Sequence, residues 1–250
     1  MIEPVVIDVD GPAGAVFTTR VGGVSEGPYA GLNLGSSTGD RAGDVRENRA
    51  RLCAALGLDA QRVTMGRQVH GAQVRPVPAP TRPGRFTGGL RGWPDGDGLV
   101  TDRPDLALVV LGADCLPVLL WRRDRPAVAA AHAGWRGLVA GVVQQAAAAL
   151  GEPDRLGAAI GPGIGPDSYP VDAGVRDRFA AAFGEEVVRH PGVDLAAAAG
   201  AALRQAGVPA SAIASVDACT YREPERFYSF RRDGAACGRQ AGVVWAREPT

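Results

Sequence analysis

DLALVVLGADCLPVLLWRRDRPAVAAAHAGWRG, Asp105 to Gly137, holds three apolar runs: Leu106–Leu111, Pro117–Trp121 and Ala127–Ala131. The runs are apolar throughout rather than alternating, as in strands of a sheet covered on both faces, and the RDRP turn Arg123–Pro126 separates the second from the third. Three features do not belong to such a core. Asp114 and Cys115 interrupt the first pair of runs, His132 closes the third, and Gly134, Trp135, Arg136 and Gly137 stand before an alanine-rich segment. An apolar core has no use for a carboxylate, an imidazole and a guanidinium unless they are paired or employed.

Outward from this centre, strands and helices interleave. PVVIDVDGPAGAVFTTRVGG reads as two strands, Val24–Asp40 as a long glycine-rich loop, and DVRENRARLCAALGL as a helix that buries Cys53. RVTMGRQVHGAQVRPVP reads as two strands broken at Gly71. Ala79–Gly96, rich in glycine, proline and arginine, reads as a mobile excursion. A helix is expected over Leu138–Leu150, then a strand in LGAAIGPGIGP, helices around GVRDRFAAAF and DLAAAAGAALRQAG, and strands in AIASVDAC and GVVWAR. No repeat, heptad or linker breaks the 250 residues, so one mixed α/β or α+β domain spanning 1–250 is expected.

Composition excludes several functions. The 27 basic and 27 acidic residues cancel, so no global field draws the chain to nucleic acid or an anionic membrane, and anions must be caught locally. The acidic N-terminus does not read as a signal peptide and no apolar run spans a bilayer; a cytoplasmic location is expected. The four cysteines, Cys53, Cys115, Cys219 and Cys237, form no CxxC pair and suggest no disulfide framework. There is no lysine, which excludes Schiff-base chemistry and a Walker lysine, whereas arginine offers a planar fork for phosphate oxygens.

Only three histidines exist. His190 precedes a proline and reads as solvated, whereas His70 in RQVHG and His132 in AAHAGWRG each close an apolar run near a glycine. If the segments bearing them and Cys115 end on one edge, two imidazoles and a thiolate can hold a zinc ion with one vertex open. Spacing alone leaves two other readings: a metal-free Cys/His nucleophile pair, and an inert buried cysteine. Arg20 in TTRVGG, Arg136 in GWRG, and Arg231, Arg232 and Arg239 near the C-terminus are candidate anion ligands, each with a plain surface reading beside it. At Arg136 a helix N-terminus adds to the case.

TTRVGGVSEGPYAGLNLGSSTGD, RQVHG, DGLVTDRPDLALVVLGADCLPVLL, AAHAGWRG, AAIGPGIGPDSYPVD and FYSFRRDG, in this order from about Phe17 to Trp245, closely resemble the YfiH family of laccase-domain proteins, long labelled polyphenol oxidases. The resemblance implies an α/β/β/α layered fold, related to cysteine-dependent toxins, and a zinc ion held by His70, Cys115 and His132. It also implies purine nucleoside phosphorylase activity on adenosine, inosine, guanosine and methylthioadenosine, with secondary adenosine deaminase activity. For that reaction Arg20, assisted by Arg136 or Arg231, is expected to position phosphate, Asp114 to hydrogen-bond or protonate the purine, and Asn33 to touch sugar or base. Partners are then small molecules, not nucleic acid or membrane. Three histidines cannot hold a multicopper cluster, so laccase chemistry is not expected and copper is at most an alternative occupant of the one site. A metal-free Cys115/His132 hydrolase and peptidoglycan editing, described for some relatives, remain the alternatives. Cys237 stands where related sequences tend to carry threonine.

Overall fold

The computed structural model describes residues 1–79, 85–88, 94–104 and 106–248. In chain order the elements are β1 (Val5–Ile7), β2 (Ala13–Phe17), α1 (Ala42–Leu56), β3 (Val63–Met65), β4 (Val74–Pro76), α2 (Arg85–Gly88), β5 (Gly98–Thr101), β6 (Ala107–Gly112), β7 (Leu116–Arg122), β8 (Val128–Ala133), α3 (Trp135–Val139), α4 (Val142–Leu150), β9 (Leu156–Ile160), α5 (Ala173–Phe183), β10 (Val188–Arg189), β11 (Gly192–Val193), α6 (Leu195–Gln205), β12 (Ile213–Ser215), α7 (Phe230–Asp233) and β13 (Gln240–Ala246). One sheet has the order β1-β2-β13-β6-β3, a second β12-β9-β7-β8-β5-β4, and β10 and β11 form a small separate pair.

The two sheets pack face to face and helices cover their outer sides. The strand period of two explains how. In β7, Leu116, Val118 and Leu120 turn to the helices while Leu119 and Trp121 turn to the other sheet. In β6, Leu108 and Val110 face the inter-sheet core, and Ala107, Val109 and Leu111 face the layer that holds Leu52 and Cys53 of α1. The order of layers is therefore α/β/β/α. The central strands read as unbroken apolar runs because both of their faces are buried.

Several local expectations are corrected. The alanine-rich helix is two helices, α3 and α4, broken where Gly141 takes φ 87°. α3 is one turn and a half, too short to aim a substantial dipole at an anion. The strand β5 in DGLVT was not expected. It is short, but it is inserted between β8 and β4 in the second sheet. Residues 80–84 and 89–93 of the Ala79–Gly96 segment lie outside the described residues. Within it Phe86 is fully buried in the α1 layer, where Arg49 donates to its carbonyl (2.5 Å) and lies 4.8 Å from its ring, so this residue anchors part of the segment to the core. No helix of the described residues is long and apolar enough to cross a membrane.

Candidate metal centre and active site

The register of the second sheet assembles the site. β7 and β8 are antiparallel with Leu116 opposite Ala133, so Cys115, just before β7, lies beside Gly134, just after β8. β5 and β8 pair with Gly98 opposite Ala131, which brings Asp97 next to His132; the His132 backbone N–H donates to the Asp97 carbonyl at 2.7 Å. Residues 113–115 cross from β6 in one sheet to β7 in the other, so the cysteine sits on a corner between the two sheets.

His70 arrives differently. It lies in the loop between β3 and β4, not at a strand end. Two side chains fix that loop. Gln68 makes a reciprocal pair with Leu111 of β6, donating to its carbonyl at 2.7 Å and accepting from its N–H at 2.8 Å. Asp97 accepts from the N–H groups of Val69 (3.1 Å), His70 (2.9 Å) and Gly71 (2.7 Å). His70 itself takes φ 61° and Asp114 takes φ 86°, left-handed conformations that cost of order 1–3 kcal/mol each for residues with a Cβ and persist only where surrounding contacts enforce them.

The ligand atoms of His70, Cys115 and His132 lie within 4.8 Å of one another, and the two imidazole rings stand edge to face with centroids 4.9 Å apart. Two imidazoles and a thiolate are a donor set suited to a borderline or soft divalent ion, with one tetrahedral vertex left for a ligand. Gly134 makes room: a Cβ there would stand 2.7 Å from Cys115 Sγ and 3.4 Å from His70 Cδ2. The residues present therefore fit a metal ion.

Charges within the cluster reinforce each other. Burial works to raise the Cys115 thiol, but the facing His132 charge and hydrogen bonds from both histidines outweigh it and draw the thiol below its ordinary value. Burial works against a charged His132, and the Cys115 thiolate with the Asp97 hydrogen bond overrides it, raising the imidazole. The Asp97 carboxyl is held low despite burial, by His132 and the loop N–H groups. Sequence reasoning missed Asp97. Its signal was a carboxylate directly ahead of the apolar GLVT.

A cavity of about 610 Å³ opens over the cluster, within the usual range for small-molecule sites. Arg67, Arg136, Arg231 and Arg239 line it, with Asp114 as a carboxylate among them. Arg67 pairs with Asp95 at 2.5 Å. Arg231 lies 4.8 Å from the Tyr169 ring and donates to the Pro170 carbonyl at 3.1 Å. Arg239 donates to the carbonyls of Cys237 and Gly238, both at 2.8 Å, and to Cys237 Sγ at 3.0 Å, so buried Cys237 backs an arginine of the wall. Arg136 lies 4.5 Å from the Trp135 ring and has no carboxylate partner among the described residues. Asp114 is buried, its Oδ1 accepting from the Thr220 hydroxyl at 2.7 Å and its Oδ2 from the Arg231 N–H at 2.6 Å.

Two expected site residues are placed elsewhere. Arg20 does not line the cavity: it donates to the Ala30 and Pro224 carbonyls and covers the Tyr228 ring at 4.5 Å, so its fork is consumed in holding two loops together. Asn33 is fully buried. Its Oδ1 accepts from the N–H groups of Gly35 and Arg239, both at 2.9 Å, and its Nδ2 donates to Thr38 Oγ1 (3.1 Å) and Asp40 (2.8 Å), leaving nothing for a sugar or base. Asn33 instead ties two wall segments together. Arg232, bonded to the Thr220, Tyr221 and Phe227 carbonyls, is likewise structural, and His190 is exposed.

A two-imidazole, one-thiolate cluster on a sheet corner of a layered α/β scaffold defines the class, and comparison with known families agrees. The profile described as multi-copper polyphenol oxidoreductase laccase matches residues 14–247, and the chain belongs to that laccase-domain family. Its relatives include the purine nucleoside phosphorylase of Deinococcus radiodurans, 41% identical over 91% of this chain and 87% of that protein. Another is the purine nucleoside phosphorylase of Streptomyces coelicolor, 43% identical over 92% and 93%. Escherichia coli purine nucleoside phosphorylase YfiH is 39% identical over 92% and 93%. Among solved structures, YlmD from Geobacillus stearothermophilus superposes with a TM-score of 0.84 at 35% identity, covering 96% of this chain and 93% of that one.

Proposed function

We propose that this chain is a zinc-dependent purine nucleoside phosphorylase. The observation that carries the reading is the His70, Cys115 and His132 cluster on the floor of an arginine-lined cavity, in a chain about 40% identical to proteins bearing that name. A zinc ion bound there would supply a Lewis acid with an open vertex for phosphate, a sugar hydroxyl or water. Copper is disfavoured, because a multi-copper cluster needs many imidazoles and the chain has three histidines.

In phosphorolysis the C1′–N9 bond of the nucleoside breaks as a phosphate oxygen joins C1′, with positive charge on the sugar and negative charge on the departing purine. Phosphate must be held beside the sugar, and Arg136, which lines the cavity and has no carboxylate partner among the described residues, is proposed to hold it. Arg231 and Arg239, braced by carbonyls, supply a fixed positive wall. Asp114, with both oxygens already accepting, serves as an oriented acceptor for a purine N–H rather than a proton donor. Adenosine deamination is a secondary activity of the same cavity, for which a zinc ion held by His70, Cys115 and His132 would supply an activated water. Substrates are thus small, and the protein acts as a single domain in the cytoplasm.

A second reading has its own observation. Cys115, His132 and Asp97 stand in the order nucleophile, base and orienting carboxylate, the arrangement of a metal-free cysteine hydrolase. Incubation of zinc-loaded protein with adenosine, inosine, guanosine and methylthioadenosine, with and without phosphate, separates the two. Ribose-1-phosphate (or its methylthio analogue) released only with phosphate, and lost in Cys115→Ala and His132→Ala, is the expected result. No phosphorolysis of any of the four would overturn the proposal.

A further inference from the structure

The three ligands come from separate parts of the chain, and one carboxylate holds two of them. The Asp97 side chain is wholly enclosed. Its Oδ1 lies 2.8 Å from His132 Nδ1 and 2.9 Å from the His70 N–H, and its Oδ2 takes the neighbouring N–H groups of Val69 and Gly71. We propose that Asp97 is the positioning residue of the metal centre, setting the tautomer and direction of the His132 ring and the backbone placement of His70 through the same oxygen. The inference rests on reading the cluster as a metal site.

The chemistry follows from hydrogen-bond polarity. A carboxylate only accepts, so Nδ1 of His132 must carry the proton it donates, and Nε2 is the nitrogen that gives up its proton and offers its lone pair when a metal ion binds. Partners of this kind on ligand histidines typically change metal affinity by about 10- to 100-fold. Asparagine has the same shape with one oxygen fewer. In Asp97→Asn the amide nitrogen must face either the loop N–H donors, repelling the His70 segment, or His132 Nδ1. In the second orientation it donates to Nδ1 and favours the tautomer with a proton on Nε2, which cannot coordinate. Either way a ligand is mispositioned while Cys115 and the sheets are untouched.

The test uses Co²⁺ as a spectroscopic stand-in, measuring affinity by competition with a chromophoric chelator together with the visible d–d and thiolate-to-cobalt bands. Asp97→Asn is expected to bind Co²⁺ about 10- to 100-fold more weakly and with an altered d–d envelope, while its metal-free far-ultraviolet dichroism matches the parent. Unchanged affinity with an unchanged spectrum would overturn the proposal. A second measurement needs no variant. In the proton spectrum of the Co²⁺-loaded parent, a paramagnetically shifted ring N–H of His132, enclosed against Asp97, should exchange with D₂O far more slowly than any from exposed His70. Absence of a slowly exchanging ring N–H refutes the assignment even if Asp97→Asn fails to fold. Failure of the parent to bind Co²⁺ at all would remove the metal reading itself, a result distinct from either.

Discussion

Gly134→Ala tests the metal centre with a single methyl group. The backbone at Gly134 has φ −78° and ψ 170°, which alanine adopts freely, so the glycine is not there for its conformation. It is there for space. The added Cβ would stand 2.7 Å from Cys115 Sγ, roughly 1 Å inside the ordinary contact distance of about 3.5–4.0 Å. Sulfur must therefore retreat by roughly 1 Å, whereas metal–ligand distances tolerate only about 0.2 Å. Zinc sites with four protein ligands gain about 10–16 kcal/mol in total, so one thiolate put out of reach is worth roughly 3 kcal/mol, a fall in affinity of about 100-fold. Overpacking adds a destabilisation of about 1–3 kcal/mol to the metal-free fold, visible separately as a lower Tm. Zinc affinity is read by competition with a chromophoric chelator on both proteins. Gly134→Ala binding zinc within threefold of the parent would refute the reasoning, since the sulfur at that place would then not be a ligand.

Three further outcomes are expected. In metal-stripped protein, Cys115 should be alkylated by iodoacetamide down to lower pH than an ordinary thiol, its rate falling only as pH drops through about 6, and stoichiometric zinc should protect it; peptide mass mapping separates it from Cys219. Asn33→Leu should cost about 2–4 kcal/mol in denaturant unfolding, because it strands the N–H groups of Gly35 and Arg239 and removes the donor that ties Thr38 and Asp40 to the turn; a loss below about 1 kcal/mol would contradict the clamp. Arg20→Met should lower stability by about 1–2 kcal/mol while leaving the KM for phosphate within about twofold, and a tenfold rise in that KM would return Arg20 to the site.

Much of the layered core could be read from sequence, because β6, β7 and β8 are apolar on both faces and their shortness and flanking turn residues favour strands of a covered sheet over buried helix. From spacing alone the three ligands were legible as residue types but not as neighbours, and only the family resemblance brought them together. Their meeting depends on the pairing of β7 with β8 and on the loop carrying His70, and register over such distances leaves no local mark. Arg20 and Asn33 were misjudged for a related reason: a polar residue in a glycine-rich loop serves the backbone of other loops as readily as a ligand, and only coordinates distinguish the two. Asp97 escaped because three of its partners are backbone N–H groups 26 to 28 residues away, which carry no side-chain signature, and the fourth, the His132 ring, is 35 residues away. Gly141 broke the alanine-rich helix because one left-handed residue outweighs the strong helix propensity around it.

The metal and nucleophile readings share Cys115, His132 and Asp97, so what separates them is His70. A cysteine hydrolase needs no second imidazole. Yet His70, exposed and in a left-handed conformation, is held with its ring centroid 4.9 Å from that of His132. Three backbone N–H groups bound to Asp97 and a reciprocal Gln68–Leu111 clamp are spent on keeping it there. Such strain persists only where the surroundings enforce it, and enforcing it brings a nitrogen to within reach of the Cys115 sulfur, as a three-ligand metal site requires. His70→Ala therefore divides the two chemistries. It should abolish tight zinc binding and phosphorolysis together, whereas a hydrolase acting through Cys115 and His132 would keep its activity, and retention of full phosphorolysis by this variant would contradict the metal reading.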